Sequence, residues 1–330
     1  MGELSASVVI TNHNYGRFLG ECIESALTQT RPAGEVIVID DGSTDDSPKV
    51  LKSFGDRIRV DRTENRGQAA SLARGIEQSS GDVVCLLDAD DVWYPEKVER
   101  VLEIMGRHPR VQWVRHALDV VDADRRPVGA TLPAMSRDAL VPPRPQPIIE
   151  RTVTAATSGL SVRSDMARRG LPYSARVAHH TTRDASFSWD ADAYLLARLT
   201  VLGAWGYSLA DALGQYRRHG AQQFAGPDDR LRLIERQIAV GTALAELLGA
   251  RAGSAVAEHK HRLIAATLRG HSLLDGERVA HLGRGLGAAL RSFWPHPGLG
   301  LRQMGALGLA FLAPTLWLRR LHSRQGFGSP

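Results

Sequence analysis

Three carboxylates, Asp88, Asp90 and Asp91, stand at the end of an apolar run, Val83–Leu87, with Val92 and Trp93 directly after them. Like charges this close repel, and taking them out of water is costly. Two readings follow. Carboxylate oxygens in an Asp-x-Asp pattern at a strand end are hard ligands that suit Mg²⁺ or Mn²⁺. Such an ion would share a diphosphate with the protein. Alternatively the three Asp residues form a solvated turn that caps the helix opened by Pro95. The triplet alone leaves both open.

A fourth carboxylate sits far along the chain. The spacing predicts a helix from Asp190 to Leu202, on which Asp192, Leu195, Leu196 and Leu199 share one face. A carboxylate at the head of an apolar stripe points inward. Burial there disfavours the charged form and suits the group to taking a proton. The alternative is a first-turn Asp that stabilises the helix dipole, with Asp190 as the N-cap. Arg217, Arg218 and His219 follow a strand-like run, Leu209–Tyr216. They could meet a departing diphosphate from the side opposite a metal, or Arg217 could belong to a basic surface loop. Gly67 opens a helix, either to let backbone approach a ligand or simply to make the turn.

The elements that must position these groups alternate. Strands are predicted at Ser7–Thr11, Glu35–Ile39, Ile58–Val60, Val83–Leu87, Val111–His116 and Leu209–Tyr216. Helices fall between them: Phe18–Gln29, a stretch up to Phe54 capped by Ser43 or Thr44, one from Asn65-Arg66-Gly67 through Ile76, and one begun by Pro95. This is an α/β pattern, a mostly parallel sheet with helices on both faces. Ligands of such sheets sit beyond the carboxyl ends of the strands. Three of those ends carry Thr11-Asn12-His13, Asp40-Asp41 and the acidic triplet. Asp122–Pro127 reads as a hairpin turn, Pro133–Pro147 as a long loop over the crevice, Ser164–Arg169 as a short helix and His179–Ser188 as a mobile segment. After Pro227 the pattern is helical only, which sets the expected domains at 1–223 and 224–330.

In order along the chain, the motifs resemble the family-2 glycosyltransferases, which have the GT-A fold. The resemblance runs from about Ser7 to about Gln223, roughly two thirds of the chain. VVITNHNYGRFLGECIESALTQT looks like the family's first strand, nucleotide loop and helix. VIVIDDGSTDDS looks like its nucleoside-binding turn. ENRGQAASLARGI and SSGDVVCLLDADDVWYPEKV look like its third helix and metal motif. WDADAYLLARLTVLG and QYRRHGAQQ look like its catalytic helix and the segment after it. The resemblance implies an inverting sugar transfer from a nucleotide-diphosphate donor, a UDP-sugar being expected, with Mn²⁺ or Mg²⁺. Asp41 would bond the base edge, with Thr11 and His13 lining the pocket and Gly67 close to the donor. Asp88 and Asp90 would hold ribose and metal, with Asp90 favoured for the ion and Asp91 beside them. Asp192 would be the base. The family usually has Glu-Asp at that helix start, whereas this chain has Ala191-Asp192; where the family commonly has Asn, it has Ala73. Ser158-Gly159 resembles an acceptor-side turn.

The bulk properties fit. A chain of 330 residues that is 43% hydrophobic and 23% charged is a folded protein with room for a catalytic domain and a smaller addition. The net charge of +5 points to an acidic partner, here a nucleotide sugar and an anionic membrane surface rather than nucleic acid. Cys22 and Cys85 read as buried thiols of a reducing compartment. No signal peptide is read at the start, and no window reaches the about 20 apolar residues of a spanning helix. Gly305–Leu318 is apolar, with Arg302 and Arg319-Arg320 at its flanks. It is either an interfacial helix on an anionic membrane or a core helix. A glycan or lipid-linked acceptor at the cytoplasmic face of the membrane is therefore expected, in cell-envelope glycan synthesis. Two rivals remain. A haloacid-dehalogenase-like phosphatase would use Asp88 as nucleophile and Asp90 as acid, but needs a later Lys; beyond Lys97 only Lys260 follows. A non-catalytic nucleotide-sugar-binding protein would keep the fold alone.

Overall fold

The computed structural model describes residues 3–143, 155–171 and 191–220, and three helical positions at 280, 282 and 284. The chain divides into two compact units, one of Met1–Pro143 with Thr154–Gln222, the other of Arg144–Val153 with Gln223–Pro330. The first is described here. Asp190, the His179–Ser188 segment and the Gly305–Leu318 stretch lie outside the described residues.

Four strands form a parallel half-sheet in the order β3-β2-β1-β4: β1 (Ala6–Asn12), β2 (Glu35–Asp41), β3 (Arg59–Thr63) and β4 (Val83–Asp88). All of β1 is buried, which explains why it reads as an unbroken apolar run rather than an alternating one. Successive residues face opposite layers. Val8, Ile10, Val36, Val38, Cys85 and Leu87 share a cluster with Leu19, Cys22 and Ile23 of α1 (Gly16–Leu27) and Val98, Val101 and Leu102 of α4 (Lys97–Arg107). On the other face lies α3 (Gln68–Gln78), where a Cβ on Gly75 would fall 2.2 Å from Val9 Cγ1. Cys22 and Cys85 are buried free thiols.

Beyond β4 the sheet becomes mixed, continuing β9-β6-β10-β5. β9 (Leu160–Arg163) runs antiparallel to both β4 and β6 (Val111–Val121), while β10 (Trp205–Arg217) runs parallel to β6. β7 (Pro127–Leu132) forms a hairpin with β6 around the expected Asp122–Pro127 turn. β5 (Val92–Trp93) pairs with β10, which draws the end of β10 to the acidic turn. The short helices α5 (Ser164–Gly170) and α6 (Ala191–Val201) complete the unit.

Two expectations are corrected. Neither Ser43 nor Thr44 caps α2 (Ser47–Ser53), which begins after Asp46. Ser43 Oγ instead accepts from Asn12 Nδ2 and the Asn14 amide, and Asp45 Oδ1 takes the Ser47 amide. The Pro133–Pro147 stretch is not all loop: β8 (Ala139–Val141) pairs with β10, and residues 144–147 lie outside the described set.

Candidate active site

The carboxyl ends of β1, β2 and β4 meet as the topology requires. At β1 and β4, Thr11 Oγ1 donates to Asp88 Oδ1 at 3.2 Å, and Gln68 Nε2 donates to the same oxygen at 2.7 Å. At β1 and β2, His13 Nδ1 lies 2.7 Å from the Asp41 carbonyl, while its Nε2 faces the amide nitrogens of Asn14 and Asn65, each at 3.2 Å. Those partners suit the tautomer in which Nδ1–H donates and Nε2 accepts. Asp41 accepts from the Arg66 and Gly67 amides at 2.8 and 2.7 Å and from Thr63 Oγ1 at 3.3 Å. Gly67 has φ +86°, a conformation that side chains resist. Thr11 thus meets Asp88 at one pair of strand ends, and His13 and Gly67 meet Asp41 at the other.

The acidic turn is divided in purpose. Asp90 Oδ2 lies 3.2 Å from His219 Nε2, so the ends of β4 and β10 present an oxygen and an imidazole to one another. Asp91 departs from the expected ligand role: its carboxylate is turned inward, 1% exposed, with Oδ2 on Ser158 Oγ at 2.6 Å and Oδ1 on the Arg217 amide at 2.9 Å. Among the described residues, no group of three or more His, Cys, Asp or Glu side chains is placed to hold a metal ion by itself.

Crowding of charge shows in the proton affinities. Burial, then the Asp90 charge, push Asp88 up to about 7. Burial, then Asp90 and Asp88, raise Asp91 well above the carboxylate range. Burial and the same carboxylates raise Tyr15 and Tyr216. A consequence for stability follows. Unfolded Asp loses its proton near 3.8, whereas folded Asp88 keeps it to about 7. The unfolded state therefore binds fewer protons between these values, and stability falls as pH rises through that window. In EDTA, urea midpoints of wild type minus those of Asp88→Asn should decline from pH 4 to 7. A flat difference would contradict the raised affinity.

Arg217 is neither a surface-loop residue nor a phosphate ligand. It is 3% exposed, and its guanidinium donates to the carbonyls of Asp90 and Ala123 and to Glu21 Oε2, at 2.8, 3.1 and 2.6 Å. Phe18 packs beneath it, 4.6 Å from the guanidinium carbon, and also against His219 at 4.4 Å between ring centres. Arg218 follows, half-buried, with its amide on the Val121 carbonyl. A cavity of about 220 Å³ borders His219, lined in part by Asn14, Tyr15, Arg17 and Phe18.

Asp192 occupies the first turn of α6 and is 9% exposed. Leu195, Leu196 and Leu199 are buried as expected, but so are Tyr194 and Ala197. The helix is covered nearly all round, so its inner stripe is less distinct than the spacing implied. Gln68 had drawn no functional reading, and its place directly after Gly67 is the only local hint; Ser158, read as an acceptor-side turn, instead bonds Asp91 and the Asp88 amide. Lys97 is buried, its Nζ 3.0 Å from Ser161 Oγ and 3.6 Å from the Trp93 ring centre; Lys260 lies outside the described residues.

Similarity to known proteins agrees with this fold. TarS of S. aureus, residues 1–349, crystallised with UDP-GlcNAc, superposes with a TM-score of 0.61 at 14% identity, over 95% of this chain and 92% of that one. The mannosyltransferase PcManGT of Pyrobaculum calidifontis, crystallised with GDP-Man and Mn²⁺, gives 0.52 at 16% identity, over 97% and 89%. At such identities the likeness is one of fold. In sequence, an uncharacterized glycosyltransferase of Nostoc sp. is 31% identical over 231 residues, covering 66% of this chain and 66% of its own length. The glycosyltransferase GlyG of Streptococcus pneumoniae is 37% identical over 107 residues, 31% of this chain and 35% of its own. The chain thus spans at most about two thirds of these curated relatives. The family model described as Glycosyl transferase family 2 matches residues 7–156, from the start of β1 to the edge of the Ser158 turn. With that stretch holding the whole parallel half-sheet and its crevice, the chain belongs to glycosyl transferase family 2.

Proposed function

We propose that this chain is an inverting, metal-dependent glycosyltransferase that moves a sugar from a nucleoside diphosphate, UDP being the expected nucleotide, to an acceptor hydroxyl. The observation that carries this reading is the approach of Asp90 to His219, 3.2 Å apart, beside a second carboxylate, Asp88. A carboxylate oxygen with an imidazole fits Mn²⁺, and carboxylates fit Mg²⁺. Asp90 and His219 would hold the ion, with Asp88 toward ribose or ion. When bound, the cation neutralises charge on the leaving diphosphate.

The remaining roles belong to the chain itself. Thr11, His13 and Asp41 line the base pocket. Carboxylate oxygens carry about four acceptor sites, so Asp41 can hold its turn and still accept from a base. Gly67 lets the backbone come close to the donor. Arg218 supplies positive charge beside His219, on the side toward which the diphosphate departs. Asp192 takes the proton from the acceptor hydroxyl as it attacks the anomeric carbon. The acceptor is a glycan or lipid-linked glycan of the cell envelope, met at the cytoplasmic face of the membrane. Among the described residues no helix is long and apolar enough to cross a membrane. The basic flanks of Gly305–Leu318 support a surface attachment.

Slow release of nucleoside diphosphate from a donor sugar in Mn²⁺, lost in EDTA, tests the activity without knowing the acceptor; a protein that only binds would release none. Asp41→Ala is expected to weaken nucleoside diphosphate binding by about 1.5–3 kcal/mol, one charged hydrogen bond, and to lower the melting temperature as its three donors lose their acceptor. An unchanged dissociation constant would leave Asp41 as a turn brace only.

A further inference from the structure

Asp88, Asp90 and Asp91 repel one another, yet the turn that carries them holds Asp90 toward His219. Two elements pin it. From β10, the Arg217 amide bonds Asp91 Oδ1 and the Arg217 guanidinium bonds the Asp90 carbonyl. From the short turn Thr157–Gly159, Ser158 does the rest. Its Oγ donates to Asp91 Oδ2 at 2.6 Å and accepts from the Asp88 amide at 3.1 Å. A hydroxyl has one proton to give, and here it goes to Asp91. The Ser158 carbonyl in turn accepts from Trp93 Nε1 at 2.7 Å, and Lys97 sits on that indole, Nζ 3.6 Å from the ring centre.

Ser158 is fully buried, so it meets neither solvent nor substrate. It has little room to move: a Cβ on Gly159 would lie 2.8 Å from the His116 carbonyl oxygen. We infer that Ser158 is a positioning residue for the metal corner, fixing the Asp88–Asp91 turn through the Asp88 amide and the Asp91 carboxylate so that Asp90 meets His219. Asp91 is then the strut between Ser158 and β10 rather than a ligand. The inference rests on the metal-dependent reading proposed above. Removing the hydroxyl strands a buried amide and a buried carboxylate oxygen together, and the turn loses two of the bonds that fix it.

The test is Mn²⁺ affinity of the full chain, read from the free-ion electron paramagnetic resonance signal, together with UDP binding in EDTA by calorimetry. Residues behind metal ligands typically contribute 10–100-fold in affinity. Ser158→Ala and Asp91→Asn are each expected to weaken Mn²⁺ by about that much, with UDP binding in EDTA held within about threefold. Because they act on one strut, the double variant should be about as weak as the weaker single one rather than additive. Mn²⁺ affinity within about twofold of wild type for Ser158→Ala, or additive losses in the double variant, would overturn the inference. So would a matching loss of UDP binding in EDTA, which marks general disruption. If Ser158→Ala does not fold, Asp91→Asn decides by the same readings. Wild type that binds no Mn²⁺ at all would remove the metal reading, and this inference with it.

Discussion

Asp192→Asn is expected to lower turnover by about 10²–10⁴-fold, the contribution of a positioned general base, with the donor dissociation constant changed by less than about threefold. The reasoning begins with α6. Asp192 is 9% exposed at the head of a helix whose Leu195, Leu196 and Leu199 are buried. A single displacement at an anomeric carbon needs the acceptor hydroxyl deprotonated as it attacks from the face opposite the leaving diphosphate. The groups assigned to the donor, Asp41, Asp88, Asp90 and His219, come from β2, β4 and the segment after β10. Asp192 comes from a separate element, α6. Asparagine keeps the size and loses the proton acceptor. Steady-state kinetics with donor and acceptor, beside donor calorimetry, check it. A large change in donor affinity would place Asp192 on the donor side; unchanged turnover would remove α6 from the chemistry.

Asp90→Asn has the second large effect. It should reduce transfer by at least about 10²-fold, since charge neutralisation at the leaving group is worth several kcal/mol and each ~1.4 kcal/mol is tenfold. Nucleoside diphosphate affinity in Mn²⁺ should fall to the value seen in EDTA, while the EDTA value stays put. Asparagine preserves the shape of the turn and the Asp90 carbonyl that Arg217 holds, but removes the charge facing His219. Equal losses with and without Mn²⁺ would place Asp90 on the nucleotide itself.

Legibility in the sequence followed the range of the interactions. β1, β2 and β4 could be read because strands buried on both faces are continuous apolar runs. The crevice could be read because such strands end together. Asp90 and His219 were both singled out, on separate grounds. The partners of the turn, Ser158 and Arg217, were singled out for other roles, an acceptor-side turn and a diphosphate or surface-loop contact. Ser158 stands 67 residues from Asp91 and Arg217 stands 126 from it, and no local spacing encodes a bond closed by the sheet. β9 has four residues and β5 two, too short for a periodicity to declare itself. Ser43 failed as a cap because Asn12 and Asn14 claimed its hydroxyl, a competition that only the folded chain shows. The stripe on α6 was blurred by burial on its other faces.

The central claim is metal-dependent recognition of a nucleoside diphosphate, and the most direct measurement is a thermal-shift titration of UDP with Mn²⁺ and with EDTA, extended to the other nucleoside diphosphates. Binding to the folded state alone stabilises by about 2.7 kcal/mol at 100 times the dissociation constant. The account predicts a shift of that size for one nucleoside diphosphate in Mn²⁺, much reduced in EDTA and in Asp90→Asn. Equal shifts with and without the metal, or none for any nucleoside diphosphate, would contradict it.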